Sequence, residues 1–342
     1  MEQIDISFDL VGSMLKEDIY SNEGILLLKQ GITLKEIHIV TLQKYRFGKS
    51  VAVEKARPSA KAISIENQKN YLSTLEQIKE AFHLILKVEM TNVQSILLEY
   101  HKLVTSALAD VSLLRLLNTE FKPDDHLYQH SMNVGIIAAL IGRCLALPKS
   151  DWYLLSTMGL FHDIGMLHVD PLMTKKDGPL SSSEYDDVKE HTLFGYGLLR
   201  ILEPLDPLVH QAARSHHERI DGSGYPSHLK ESEIPFFIQI VSVADCFSAM
   251  SMKPYGEKKT SFASVFELVN ESLGNRLNPS IVVPFIRYIM RQHLYESVTL
   301  NNGEVAEIIF IHDDEPHKPL VRMNEKYIDL RRDSSLTIAT LI

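Results

Sequence analysis

Leu155-Ser156-Thr157-Met158-Gly159-Leu160-Phe161-His162-Asp163 is an apolar helical run that ends on an imidazole and a carboxylate. Leu155, Met158 and His162 fall on one face at spacings of three and four, with Asp163 beside them. Ser150 is the expected N-cap of this helix. Ionisable groups on a core face are costly unless something partners them. The flanking sequence supplies more of the same kind. His130 is in line with Val134, Ile137, Ile141 and Leu145, spaced 4, 3, 4 and 4. Ser181 and Glu184 form a capping box, and the helix that follows aligns His191 with Val188, Gly195 and Leu198. Val209, Ala213, His216 and His217 come next, then Val241, Asp245 and Ser248.

Five consecutive helices thus each deliver one or two donors, from His130, His162, Asp163, His191, His216, His217 and Asp245. A lone histidine on such a face is more often a satisfied core or surface residue. A series of seven is not explained that way. Imidazole with carboxylate and no thiolate suits iron, manganese or zinc engaged in hydrolysis, and two ions need about this many protein ligands. The adjacent pairs His162-Asp163 and His216-His217 suit neighbouring ions, because residues one apart on a helix diverge by about 100°. Asp163 can bridge the two. The expectation is a dinuclear metallohydrolase. His168 and His210 are expected to be structural or solvated, and His126 is an alternative ligand or a surface group.

Composition narrows the setting. The chain has 342 residues, 45% apolar and 23% charged, enough for a sizeable core. A formal charge of −9 argues against broad binding to nucleic acid or an anionic membrane. Cys144 and Cys246 lie in apolar runs and read as buried thiols, which fits a reducing cytoplasm. No basic-then-apolar leader and no long uncharged apolar run is visible, so export and membrane spanning are not expected.

Four segments are expected, in a mainly α chain. Residues 1–56 form a small β-rich module with one helix: Ile25–Leu28 and Val51–Val53 read as strands, and Thr33–Tyr45 as a helix with Leu34, Ile37 and Leu42 apolar. Arg57-Pro58-Ser59 reads as a linker. Residues 57–120 are helical and, beyond that linker, free of Pro and Gly, with a stripe of Leu72, Leu75, Ile78, Phe82, Ile85 and Leu86. That stripe suits a helical bundle, or else the seam of a homodimer. Residues 121–293 carry the ligand series. Residues 294–342 form a small β subdomain, with a hairpin signal at Val298–Gly303 and short runs at Ile308–Ile311, Leu320–Met323 and Leu336–Ile342.

Taken with His217-Glu218-Arg219-Ile220-Asp221-Gly222-Ser223-Gly224-Tyr225-Pro226, the series resembles the HD-GYP family of bacterial cyclic di-GMP phosphodiesterases, a branch of the HD superfamily. His130-Ser131, His162-Asp163-Ile164-Gly165, His191 with Gly195, and Val243-Ala244-Asp245 stand in family order over about residues 120–290. The resemblance implies an HD-superfamily helical bundle, an iron or manganese centre held by the seven residues, and hydrolysis of cyclic di-GMP to pGpG and on to GMP. In some members a glutamate one turn before the first histidine supports a third metal. His126 stands there, which argues for two divalent ions. His162 and Asp163 would be the catalytic pair. Gly222 and Gly224 would bring backbone close to the ligand, and Tyr225 would stack on it or close the pocket.

The departures lie on the substrate side. Met166 occupies the lysine position of the family's HDIGK run. Ser248 replaces the second aspartate of ADxxDAL, Lys253 stands near the first arginine of RPYR, and Gly256 stands at the second. Lys253, Lys258 or Lys259 would have to compensate. Three readings follow: a working cyclic di-GMP phosphodiesterase; a degenerate domain that binds cyclic di-GMP or a signalling partner protein without turnover; and a phosphohydrolase for another cyclic dinucleotide.

Overall fold

The computed structural model describes residues 3–6, 10, 13–32, 34–46, 49–54, 65–90, 92–109, 123–174, 176, 178, 180–202, 205–251, 261–324 and 326–341. The chain divides into two compact units. One joins Met1–Lys61 with His293–Ile342, and the other is Ala62–Gln292.

In the first unit, β1 (Gln3–Asp5), β5 (Ser50–Glu54) and β2 (Met14–Leu15) form a three-stranded antiparallel sheet, while β3 (Ile19–Tyr20) pairs with β4 (Leu26–Leu28). The helix α1 (Glu36–Tyr45) starts later than its apolar spacing suggests. Leu34 therefore precedes it, Ile37 is exposed, and Ile39 and Leu42 carry the buried face. The tail supplies a five-stranded antiparallel sheet in the order β10-β6-β7-β8-β9: β6 (Ser297–Leu300), β7 (Val305–Phe310), β8 (Leu320–Met323), β9 (Lys326–Asp329) and β10 (Ile338–Leu341). The β9 strand was not anticipated. Its turn is made by Asn324 at φ +46°, a residue type that tolerates the left-handed region.

The second unit is the helical bundle: α2 (Ile65–Leu86), α3 (Gln94–Ala109), α4 (His126–Cys144), α5 (Lys149–Phe161), α6 (Pro171–Thr174), α7 (Ser182–Lys189), α8 (His191–Leu199), α9 (Pro207–Ser215), α10 (Phe236–Ser251), α11 (Ser261–Leu273) and α12 (Pro279–Arg291). The chain is mainly α, as expected. Leu75, Ile78, Phe82 and Ile85 of α2 are buried within the bundle, whereas Leu72 is exposed. The α2 and α3 helices are separate although no Pro or Gly lies between them. Val88 takes φ +59°, and Asn92 accepts the Gln94 N–H at 3.0 Å to start α3. Arg57-Pro58-Ser59 and residues 110–122 lie outside the described residues.

The centre of the bundle is α4. Every residue from Tyr128 to Gly142 is buried, so its apolar character runs all round rather than along the single stripe that the sequence suggests. It packs against α2, α3, α5, α10 and α12. The α4–α5 crossing is backbone on backbone: a Cβ on Gly159 would lie 2.6 Å from the Gly135 Cα. Only glycine at both positions allows this approach, and it draws the end of α5 toward the start of α4. Pro148, not Ser150, is the N-cap of α5; the Ser150 hydroxyl bonds to Asp151 instead. Among the described residues no helix is long and apolar enough to cross a membrane. Cys144 and Cys246 are free and half-buried, and burial pushes their thiols up, to about 12 and about 11.

Candidate metal centre

All seven donors meet. Asp163, His191, His216 and His217 each offer one ligand atom within 4.8 Å of the others, and so do His130, His162 and Asp245. Asp163 faces both groups. Its Oδ1 lies 3.2 Å from Nε2 of His191 and 3.2 Å from Nε2 of His216, while Oδ2 lies 3.5 Å from Nε2 of His162 and 3.9 Å from Nε2 of His130. Asp245 contacts His130 Nε2 at 3.0 Å and His162 Nε2 at 3.7 Å through Oδ1, and His217 Nδ1 at 4.0 Å through Oδ2.

Helix ends do much of the placing. His162 is the C-cap of α5, and Asp163 opens the short 3-10 turn Ile164–His168. His216 is the C-cap of α9, and His217 follows it. The sequence reading put both pairs on helix faces; they sit where the helix has stopped, so the second residue is free to turn inward. The expected single helix through His191 is two, α7 and α8. The His191 Nδ1 takes the Val188 carbonyl at 2.6 Å and the Thr192 hydroxyl takes that of Lys189 at 2.9 Å, which removes acceptors from the helical ladder. The capping box at Ser181 and Glu184 is present, with the Glu184 N–H donating to the Ser181 hydroxyl at 3.3 Å and the Ser181 N–H to the Glu184 carboxylate at 2.7 Å.

Imidazole orientation is fixed from behind. The His162 Nδ1 meets the Gly159 carbonyl at 2.7 Å and the His216 Nδ1 meets that of Ala212 at 3.0 Å, as His191 meets that of Val188. A carbonyl only accepts, so each Nδ1 carries the proton and each Nε2 points a lone pair at the centre. The Ser248 hydroxyl lies 3.1 Å from the His130 Nδ1. This outer role for the serine was not apparent from the sequence. Ser242 donates to the His216 carbonyl at 2.7 Å and ties α10 to the histidine pair.

Electrostatics favours cations here. Burial would raise the Asp163 and Asp245 carboxyls, yet the surrounding imidazoles hold both well below the usual range. Burial alone would lower His162; the adjacent Asp163 and Asp245 reverse that, up to about 9. The His217 imidazole is pushed well down, by burial and then by His216. His162 Nε2 and Asp163 Oδ1 are buried and have no hydrogen-bond partner. Imidazole lone pairs and carboxylate oxygens facing one another at 3.2–3.9 Å repel unless a proton or a cation lies between them; the raised His162 holds such a proton, and a divalent ion would take its place. The nitrogen and oxygen donor set therefore fits divalent cations of the iron, manganese or zinc type.

The rim is built from the loop after His217. Glu218 is buried, and its carboxylate accepts the Ser227 N–H at 2.7 Å and the Leu229 N–H at 3.0 Å, clamping the loop over the site. The loop residue Gly222 has φ +84°, and a Cβ on Gly224 would overlap backbone of His217–Arg219. Tyr225 stacks on His217 with ring centroids 4.6 Å apart. The Tyr185 ring meets Tyr225 edge-on at 6.3 Å, and Lys189 Nζ lies 4.5 Å from the Tyr185 centroid and 5.7 Å from that of Tyr225. Neither Tyr185 nor Lys189 was singled out from the sequence. A lysine two residues before a histidine carries no signal until the break between α7 and α8 is known. His126 stacks parallel to His130 at 6.1 Å, and His168 stacks on Phe194 at 4.1 Å. Lys253, Gly256, Lys258 and Lys259 lie outside the described residues.

The HD domain family profile matches residues 118–281. This segment belongs to the HD domain family. The HD domain is similar to the cyclic di-GMP phosphodiesterase of Thermotoga maritima, 33% identical over 202 residues, 56% of this chain and 54% of that protein. It is also similar to the 3'3'-cGAMP-specific phosphodiesterase 3 of Vibrio cholerae serotype O1, 31% identical over 150 residues, 44% of this chain and 32% of that one. The chain spans about half or less of the length of these curated relatives. Among solved structures, Bd1817, a HDG"Y"P protein from Bdellovibrio bacteriovorus, aligns with a TM-score of 0.52 at 15% identity, over 83% of this chain and 97% of that chain. That likeness concerns the fold. The HD-GYP resemblance read from the motifs holds.

Proposed function

We propose that the HD domain is a divalent-metal phosphodiesterase that opens cyclic di-GMP to linear pGpG. The observation that carries this is the Asp163 carboxylate, with one oxygen turned to His191 and His216 and the other to His162 and His130. A carboxylate so placed suits two ions side by side, one among Asp163, His191, His216 and His217, the other among His130, His162 and Asp245, with iron or manganese fitting the donors. When bound, such a pair would neutralise a phosphodiester anion and acidify water at the site.

The chain itself contributes positioning. Carbonyls of Gly159, Val188 and Ala212 hold three imidazoles rigid, so little reorganisation is left for the reaction. Tyr225, backed by His217, offers a flat face for a guanine, and Gly224 lets the loop that carries it close on the backbone of His217–Arg219. Lys189 takes the place of the cation that Met166 lacks, at the rim beside Tyr185 and Tyr225. Water adds across the phosphorus–3′-oxygen bond, and the ribose 3′-oxygen leaves with a proton.

The relatives support this reading, since cyclic di-GMP and 3'3'-cGAMP phosphodiesterases are both among them. Purified protein loaded anaerobically with iron or manganese is expected to release pGpG from cyclic di-GMP, followed by product chromatography. Faster turnover of 3'3'-cGAMP would move the substrate to the hybrid dinucleotide. Binding of the dinucleotide with no product over hours would replace the enzyme by a signalling module.

A further inference from the structure

We infer that the two cation positions differ in affinity, and that Ser248 makes the one built from His130, His162 and Asp245 the weaker. This rests on the metal-centre reading above. His162, His191 and His216 share one arrangement: a backbone carbonyl takes the Nδ1 proton at 2.7, 2.6 and 3.0 Å, which leaves Nε2 bare and aimed at the centre. His130 departs from it. Its Nδ1 lies 3.1 Å from the Ser248 hydroxyl, on the turn of α10 that follows Asp245.

A hydroxyl donates as readily as it accepts. When Ser248 donates, the bare nitrogen of His130 is Nδ1 and the proton sits on Nε2. That Nε2–H then points at Asp245 Oδ1, 3.0 Å away, and makes a hydrogen bond with it. Two of the three donors of this position are thereby engaged with each other. A cation entering there has to displace that bond and move the proton to the other ring nitrogen. At the second position the corresponding contact, between the Nε2 atoms of His191 and His216, is longer, at 3.5 Å, and is no hydrogen bond while carbonyls hold both Nδ1 protons. His191 and His216 have their Nδ1 protons fixed by carbonyls, and Asp163 Oδ1 lacks a hydrogen-bond partner. A carboxylate at residue 248 would act like the carbonyls, because it can only accept. Outer partners of metal-ligating histidines change metal affinity by about 10–100-fold.

The test is a Mn²⁺ titration of the full metal-stripped chain, followed by calorimetry and by electron paramagnetic resonance. Two binding steps are expected, the second weaker by about tenfold or more. The isolated Mn²⁺ spectrum should give way to an exchange-coupled one only during the second step. His130→Ala should remove the weak step and keep the tight one. Ser248→Asp should tighten the weak step about tenfold, so that the coupled spectrum appears at lower Mn²⁺, with the tight step unchanged. Ser248→Ala removes the competing donor with little change in volume and should tighten the weak step, by less than Ser248→Asp does because alanine supplies no acceptor. Equal affinities in the wild type, loss of the tight step in His130→Ala, an unmoved weak step in Ser248→Asp, or an unchanged or weakened step in Ser248→Ala would each overturn the inference. A chain that takes up no Mn²⁺ at either position would overturn the metal-centre reading itself.

Discussion

Met166 sits half-buried in the 3-10 turn that Asp163 opens, within three residues of the carboxylate facing both histidine groups. A methionine there brings neither charge nor a proton to a phosphate. Met166→Lys should raise kcat/KM on cyclic di-GMP by about tenfold, the effect of roughly 1.4 kcal/mol; an unchanged or lower rate would mean that the site is built around methionine. Lys189 gives the reciprocal prediction. Lys189→Ala should raise KM by about tenfold with metal content intact, and Lys189→Arg should restore most of it, in steady-state assays with parallel metal analysis. The seven ligand candidates were legible because buried ionisable groups need partners, and the sequence spaced them on apolar faces. Ser248 and Glu218 were not legible as supports. Their roles depend on which atom of a neighbour they face across the bundle, and no spacing along one helix encodes that.

Elements meet at the centre through glycines and caps. A Cβ on Gly165 would overlap the His191 carbonyl and stand 2.7 Å from the Gly195 N. Gly165→Ala should therefore push the turn after Asp163 away from α8, cost about 3 kcal/mol in chemical denaturation and weaken metal retention. Ser181→Ala should cost about 1 kcal/mol by the same measurement, from loss of the α7 cap. Its partner Glu184 adds a pH signature. The Lys176 ammonium, the Ser181 N–H and the Ser181 hydroxyl hold its carboxyl down at about 2. A depressed carboxyl stabilises the fold above its unfolded value near 4.5, and that contribution fades as pH falls from there through about 2. Glu184→Gln should accordingly lower the melting temperature at neutral pH, flatten this part of the acid limb, and converge with wild type toward pH 2 in thermal melts. The helix breaks were the poorly legible part. Val88 reverses the chain between α2 and α3 without glycine or proline, and side-chain hydrogen bonds from His191 and Thr192 separate α7 from α8. Local propensity carries no mark of either.

At the scale of the molecule, the all-round burial of α4 and the unbroken buried run Ile238–Asp245 of α10 make the bundle one core with the donors at its heart. Grouping of Met1–Lys61 with His293–Ile342 was not visible in the sequence, since no periodicity links segments that far apart. A group that binds only the folded state stabilises it by mass action, by about 2.7 kcal/mol at 100 times its Kd. Chelation should therefore lower the melting temperature by roughly 5 °C or more, and Mn²⁺ should restore it, in calorimetric scans. His162→Ala or Asp163→Ala should abolish that metal-dependent shift together with turnover.

The ends of α5 and α9 both finish at the centre, through His162 and His216. A helix terminates in partial negative charge at its carbonyl end, and here that charge adds to the ionised side chains of Asp163 and Asp245. An unloaded cleft of this kind repels a dinucleotide bearing two negative charges of its own. On the function proposed above, divalent ions would have to enter this cleft before the nucleotide, so that equilibrium binding of the dinucleotide should strengthen with Mn²⁺.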